Sequence, residues 1–570
     1  MNKHIYFSLL LFLLVVTASH AQNNYYINGL GRTIITRDNL SGPVLEGDNS
    51  TPRRGVGGYL LFDLGNNLDV SNDFKANAIL RLRSPYGAFW GVGTEFQIRQ
   101  FQISGKIRRN IEFQLGDINV GQGMSLFTVN NFATEYHKYE SEVFRSRREI
   151  LEYENFIFSN MWRLQGFHTR GGFTFENLPL NKLGIYAFAT RTNATNEVDV
   201  PDRILAGGNI TAEVNDQIQV GANYAGLVDV PIQQAAVNYK NNVFTGIASY
   251  NLNKGSYSLK LKGEGGYSDF NYSTDSASAG ASFNDYFYNL DANLGFAPLK
   301  MIISGAFRDV GPNFTSPAAQ TRRIDVTRTP MLFPAFGNNS LDRNQTLYDR
   351  FTGENLYRRS ISPVLMPFLP WYNNISPYGI ATPNRRGFSI GIASDTSLKV
   401  IQADLEADIL SEIIGEGVKD KRKFLGIRGG AIFKINQVLG MNKLLFLSAG
   451  ARYESTGRQG LAPINFSSTL FDLGVTYELL SNFDLLAGTK ILLASGNEFI
   501  STRNEFNQIT NIDAVNVNLS ETIYSAGFRL RMSSKAAFYT MYNFSSYNRK
   551  SPSDLNYGIN QLFVNFTLKF

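Results

Sequence analysis

The chain has 570 residues, no cysteine, 18% charged residues and a formal net charge of +6. The lack of cysteine excludes disulfides, thiolate metal sites and lipoprotein attachment, and so small a positive excess gives no argument for a nucleic-acid partner. Charge is low against the roughly 25% of a soluble protein, while 43 Phe and 28 Tyr stand beside only 3 Trp; a wall with apolar side chains toward lipid and small or polar ones toward a lumen has this balance.

Residues 1–21 read as a signal peptide. Asn2, Lys3 and His4 make a polar start, Ile5 to Val16 is an apolar run too short to span a bilayer, and Ser19-His20-Ala21 places small residues before a cut at Gln22. Residues 22–55 are expected to lead into a barrel that occupies 56–570, with strand-like alternation under way by Tyr59. No later apolar run is long enough for a membrane helix.

Alternation with a period of two then recurs along the chain. Ala76, Ala78, Leu80 and Leu82 oppose Asn77, Ile79, Arg81 and Arg83; Trp90 to Ile98 alternates likewise. Further candidate strands lie at 111–118, 161–170, 183–191, 217–225, 243–250, 257–266, 286–295 and 299–307. Gly121-Gln122-Gly123 lacks the strand-to-helix context of a nucleotide site and reads as a turn or bulge. The spacing of Phe132, Tyr136, Tyr139 and Val143 predicts an amphipathic helix on a long loop, about 130–160. A second long loop spans 310–386, where half the chain's 18 prolines fall and a ladder cannot continue.

The clearest strands follow. Leu405, Ala407 and Ile409 oppose Asp404, Glu406 and Asp408; Leu425 to Phe433 opposes Gly426, Arg428 and Lys434; Leu445 to Tyr453 opposes Arg452 and Glu454. The pattern repeats at 471–478 and 522–531 and ends on Leu562, Val564, Phe566, Leu568 and Phe570. This last strand resembles the terminal assembly-signal strand of Gram-negative outer-membrane β-barrels, which closes on the first strand and ends in an aromatic residue. The implied fold is all-β: one large closed antiparallel transmembrane barrel of about 22 strands, within a range of roughly 14 to 26, with two long loops. The resemblance implies an outer-membrane location and lipid, lipopolysaccharide and the barrel-assembly machinery as partners. TonB-dependent transporters are barrels of similar size, but 22–55 is too short for their N-terminal plug.

Three constellations bear on function. The loop at 310–386 carries Arg322, Arg323, Arg328, Arg343, Arg350, Arg358, Arg359, Arg385 and Arg386 without one lysine. At a pore mouth it would select anions; as an adhesive or structural element it would pair with lipopolysaccharide phosphates or its own carboxylates. Asp404, Glu406 and Asp408 face a pore with Arg428, Lys434 and Arg452 on the next strands, as a cross-strand ion ladder or a transverse field for polar solutes. His137 and His168 lack a nucleophile motif, so no enzyme is expected, and no metal or cofactor spacing occurs. The leading expectation is a porin-like channel for small polar or anionic solutes, narrowed by the Arg/Pro-rich loop. The alternative is a non-conducting barrel serving a surface export or attachment system, with possible surface partner proteins. Whether Phe333, Phe336, Phe368, Trp371 and Tyr372 pack inside the lumen separates the two.

Overall fold

The structure is a computed structural model. It describes residues 25–570 except 43–53, 87–92, 109, 122, 131–138, 156–161, 177–178, 194–200, 231–236, 275–279, 329–343, 396 and 552–553. The signal-peptide expectation, His137, Arg343, Phe333 and Phe336 lie outside the described residues.

The chain forms β1 (Tyr25–Ser41), β2 (Arg54–Ser71), β3 (Phe74–Pro85), β4 (Glu95–Ile107), β5 (Ile111–Val120), β6 (Trp162–Thr174), β7 (Lys182–Asn193), β8 (Arg203–Glu213), β9 (Ile218–Asp229), β10 (Asn238–Asn253), β11 (Tyr257–Ser273), β12 (Gly280–Phe296), β13 (Met301–Val310), β14 (Arg385–Ser394), β15 (Ile401–Ser411), β16 (Lys423–Lys434), β17 (Leu445–Arg458), β18 (Ile464–Leu480), β19 (Phe483–Arg503), β20 (Ile509–Arg531), β21 (Ala536–Ser551) and β22 (Leu555–Lys569). Each strand pairs antiparallel with its neighbours in sequence, and β22 pairs with β1 from Leu30↔Lys569 to Ser41↔Gly558. The sheet is therefore one closed barrel of 22 strands, which leaves no edge for hydrocarbon to strand. Phe566 and Leu568 sit in this seam opposite Thr33 and Gly31. Phe570 extends it: its amide donates to the Gly29 carbonyl at 3.1 Å, and its ring stacks on Phe62 at 5.6 Å.

The outward face is apolar. Phe96, Ile98, Phe244, Leu290, Phe388, Leu405, Ile409 and Leu473 are exposed on it, as a lipid-facing band requires. Among the described residues no helix is long and apolar enough to cross a membrane; the crossing is by strands. Odd-numbered strands run away from the rim that holds the chain ends, so the insertions after β5 and β13 both rise from the opposite rim. In a barrel with short periplasmic turns, that rim is the extracellular one.

The structure corrects several expected boundaries. Residues 22–55 are no lead-in, because β1 fills half of the span and β2 begins at Arg54. The strand expected from 89 begins at Glu95, after a turn through Gly93 at φ +77°, and Trp90 lies outside the described residues. Five strands, β1, β8, β14, β19 and β21, were not among the candidates. The reason for β1 and β19 is common to both. Their lumenal residues include Leu30, Ile34, Leu486 and Leu492, all buried, so alternation against a polar face is lost.

Candidate functional site in the barrel lumen

Both insertions fold into the lumen. The first leaves β5 through Gly121 and Gly123, at φ +103° and +84°. This left-handed backbone turns the chain inward at a position where L side chains would be strained. Met124 and Val129 then pack on Val120, Leu164, Phe188 and Leu205 of the wall, and Phe127 stacks on Phe287 of β12 at 3.8 Å. Helix α1 (Glu142–Glu154) follows. A helix was expected in this stretch, but Phe132 and Tyr136 lie outside the described residues and Tyr139 precedes the helix; its apolar face is instead Val143, Phe144 and Ile150, turned to β18–β22.

Charges tie the two ends of α1 to different parts of the wall. Before it, Glu140 accepts from Lys490 of β19 at 2.6 Å, and Lys490 also meets Asp472 of β18 at 2.9 Å. Arg529 of β20 bridges Glu142 and Asp484, both at 2.7 Å. At the far end Glu154 accepts from Arg32 of β1 at 2.9 Å and from the Tyr59 hydroxyl of β2 at 2.5 Å. Tyr153 donates to Asp63 at 2.6 Å, which Arg81 grips through two nitrogens at 2.7 Å, and the Arg99 guanidinium lies 4.0 Å over the Tyr153 ring. Where the chain enters α1 it lies directly on the wall. A side chain at Gly474 would collide with Ser141, and a Cβ at Gly488 would stand 2.7 Å from Val143.

The described part of the second insertion, residues 311–328 and 344–384, packs beside the first. It carries α2 (Pro317–Gln320) and α3 (Leu347–Thr352). Ser316 donates to the Phe127 carbonyl at 2.7 Å, and Asn130 donates to the Ala318 carbonyl at 3.0 Å, which joins the two inserts. Thr346 and Asp349 cap α3 reciprocally, as a T-x-x-D sequence favours. The insert then reaches wall strands on several sides. Thr315 accepts from Asn241 of β10 at 2.9 Å; Tyr348 donates to Asp38 of β1 at 3.1 Å; Tyr372 donates to Glu521 of β20 at 2.7 Å. Ser468 of β18 donates to the Trp371 carbonyl at 2.6 Å, and Asn374 donates to Glu454 and Thr456 of β17 at 2.9 and 2.8 Å. Phe144 and Tyr372 are 0% exposed in the shared apolar cluster. Trp371 and Tyr372 thus pack inside, with Phe368 partly buried against Leu365 and Tyr378. The lumen is filled at this level by the protein's own chain.

The loop arginines lie within this filling. Arg322 and Arg350 are buried, and burial pulls both guanidiniums down to about 10, so they stay charged at neutral pH. Arg350 lies 3.7 Å over the Tyr372 ring. Arg323 pairs with Glu152 of α1 at 2.9 Å. Arg358 pairs with Asp325 at 2.7 Å, and Arg328 donates to the Asn355 carbonyl at 2.8 Å. Arg359 donates to Asn155 at 3.4 Å. Arg385 is buried and donates to the carbonyls of Ile375, Asn384 and Asn374. Arg386 is exposed and pairs with Asp309 at 2.7 Å. The group is dispersed through the insert and its base rather than gathered at one open mouth.

The wall constellation is partly brought together. Arg428 meets Glu406 at 2.6 Å and Asp408 at 3.7 Å, and Asp408 accepts from Ser389. Asp404 shares their lumenal face. Arg428 and Glu406 keep 50% and 39% of their side-chain surface exposed. Arg452 is instead covered by the insert and donates to the Trp371 carbonyl at 3.1 Å. Lys434 closes β16 at the chain-end rim. His168 is hydrogen-bonded to Gln114 at 2.9 Å. The residues that anchor the filling, Lys490, Glu140, Glu521, Gly474 and Gly488, were not singled out from the sequence. The one available signal was a glycine recurring on the lumenal face of adjacent strands.

No protein-family model and no curated protein matches the chain. Solved structures do. The porin OccK2 (OpdF) of Pseudomonas aeruginosa matches with a TM-score of 0.35 at 9% identity, over 96% of this chain and 98% of that one. The ferric citrate transporter FecA in its unliganded form matches with a TM-score of 0.47 at 9% identity, over 95% and 78%. The FrpB iron transporter of Neisseria meningitidis matches with a TM-score of 0.44 at 10% identity, over 97% and 83%. The chain is similar to such outer-membrane barrels in architecture. Its own closed sheet and apolar exterior make it an outer-membrane β-barrel.

Proposed function

We propose that the protein is an outer-membrane channel for small polar or anionic solutes that is held shut by its own inserts. Passage then requires the Arg/Pro-rich insert, α1 or both to move aside. The observation that carries this reading is the chemistry of the contact between filling and wall. Lys490 with Glu140, Arg529 with Glu142, and Arg32 with Glu154 are ion pairs across it. Buried ion pairs contribute little net stability compared with apolar packing of the same volume. A permanent filling gains little from them, whereas a wall that must also face water keeps its solubility through them. The partly exposed Arg428–Glu406 pair is a polar surface of the same kind.

A second reading has its own support. The apolar cluster of Phe144, Phe351, Trp371 and Tyr372 against β18–β22 resembles a fixed core, which suits a non-conducting barrel of a surface export or attachment system. Planar-bilayer recording separates the two. Refolded native protein is expected to be silent or to open rarely, and a variant with 315–382 replaced by a short Gly/Ser linker is expected to conduct in stable steps. A variant with both inserts replaced by short linkers that folds into the barrel and stays silent would overturn the channel reading. Large, permanently open steps from the native protein would overturn the closure.

A further inference from the structure

At the insert-bearing rim the second insert, the 412–422 turn and the projecting tips of β19 and β20 enclose a cavity of about 440 Å³. This lies within the size range of small-molecule sites, roughly 300–1,000 Å³. Strand length builds it. β19 and β20 have 21 and 23 residues, about twice what a barrel strand needs to cross the bilayer, so their excess stands beyond the membrane as one wall. The insert supplies the other through Met366, Phe368 and Tyr378, opposite Phe499 and Ile509.

The cavity's guanidiniums are unequally paired. Arg385, Arg422 and Arg503 line it with Glu416 as the lining carboxylate. Arg422 is saturated: it meets Glu416 at 2.9 Å and Glu412 and Glu498 at 3.2 Å, and donates to the Phe499 carbonyl at 2.6 Å. Behind the lining, Arg458 donates to the Glu416 carbonyl at 3.3 Å. Arg458 in turn feels the nearby carboxylates of Glu412, Glu498 and Asp420, so the lining guanidiniums without a close carboxylate are Arg385 and Arg503. Arg385 bonds only neutral carbonyls. Arg503 donates to the Asn507 carbonyl at 2.8 Å, lies a loose 3.8 Å from Glu416, and keeps 23% of its side chain exposed. A single negative group beside Arg503 would give it the close partner that Glu416 at 3.8 Å does not, and an apolar body would occupy the Phe368–Phe499 side.

We propose that this rim cavity binds an amphiphilic monoanion, its head group on Arg503 and its apolar body between Phe368 and Phe499. The site rests on the cavity as it stands and does not require the inserts to move, so it can hold whether or not the channel reading does. The test uses native protein in lipid nanodiscs, titrated calorimetrically with 4-phenylbutyrate and with its neutral amide, against empty nanodiscs. The acid is expected to bind saturably and at least about tenfold more tightly than the amide. Arg503→Gln should remove that preference, and Phe368→Ala should weaken both ligands. Heat-modifiable gel mobility reports that each variant is folded. Equal binding of acid and amide by the native protein, or no saturable heat above empty nanodiscs, overturns the proposal without reference to any variant. Unchanged acid binding by a folded Arg503→Gln protein overturns the assigned head-group contact.

Discussion

Lys490 is 4% exposed between Glu140 and Asp472, and truncating it would leave two buried carboxylates facing each other. Removing one partner of a buried ion pair typically costs about 3–5 kcal/mol. Lys490→Met is therefore expected to loosen the chain at 139–142. Because the protein has no native cysteine, a Ser141→Cys reporter can be labelled with a water-soluble maleimide without background. Labelling should accelerate by on the order of 100-fold in the Lys490→Met background; an unchanged rate would show that the pair does not hold the insert. Asp325 gives a pH prediction. Burial pushes its carboxyl up, but bonds from Thr327 and Arg358 outweigh this and leave it below the usual value. A carboxylate depressed on folding contributes stability that is complete above its unfolded pKa, about 3.9, and is lost as pH falls through the lower folded value. Hydrogen exchange around 325–358 should stay slow down to about pH 4 and quicken below it. In Asp325→Asn that acid-dependent step should vanish; its persistence would assign it to another group.

At the scale of elements, the crossing of the inserts over Gly474 and Gly488 is a steric arrangement with a direct test. Gly474→Leu places a branched side chain where Ser141 lies, while the strand itself tolerates leucine. The expected outcome is a folded barrel with the 139–143 segment displaced, read as more frequent openings in planar bilayers and faster labelling at Ser141→Cys. A silent barrel with unchanged labelling would mean that the wall yields instead. The same packing explains which strands were legible. β15 to β18, β20 and β22 could be read because an apolar outward face opposes lumenal Asp, Arg, Ser or Gly. β1 and β19 could not, because Ile34, Leu486 and Leu492 face inward onto the filling. An apolar residue on both faces erases a period of two. A helix was expected in the right stretch, but of the spacing that suggested it only Val143 falls in α1, and its direction into the barrel was not legible, since an amphipathic helix carries no label for the surface it covers.

For the molecule as a whole, the sequence by itself determined a closed antiparallel barrel with a lipid-facing exterior and a terminal seam at Phe566, Leu568 and Phe570. Those features depend on local periodicity, on strand and turn lengths and on the chemistry of a bilayer that forbids open edges. The candidate site was legible only in part. Trp371 and Tyr372 were marked, with packing inside the lumen left as one of two outcomes, the loop arginines were marked for a pore mouth or a surface contact, and the wall pair Arg428–Glu406 was marked without Lys490 or Glu521. Only the tertiary structure decided that the lumen is occupied. A lumenal carboxylate has the same sequence signature whether it faces water or an insert. The contacts that choose between them join residues far apart in the chain, as Lys490 joins Glu140 across 350 positions, and no local pattern encodes such a meeting.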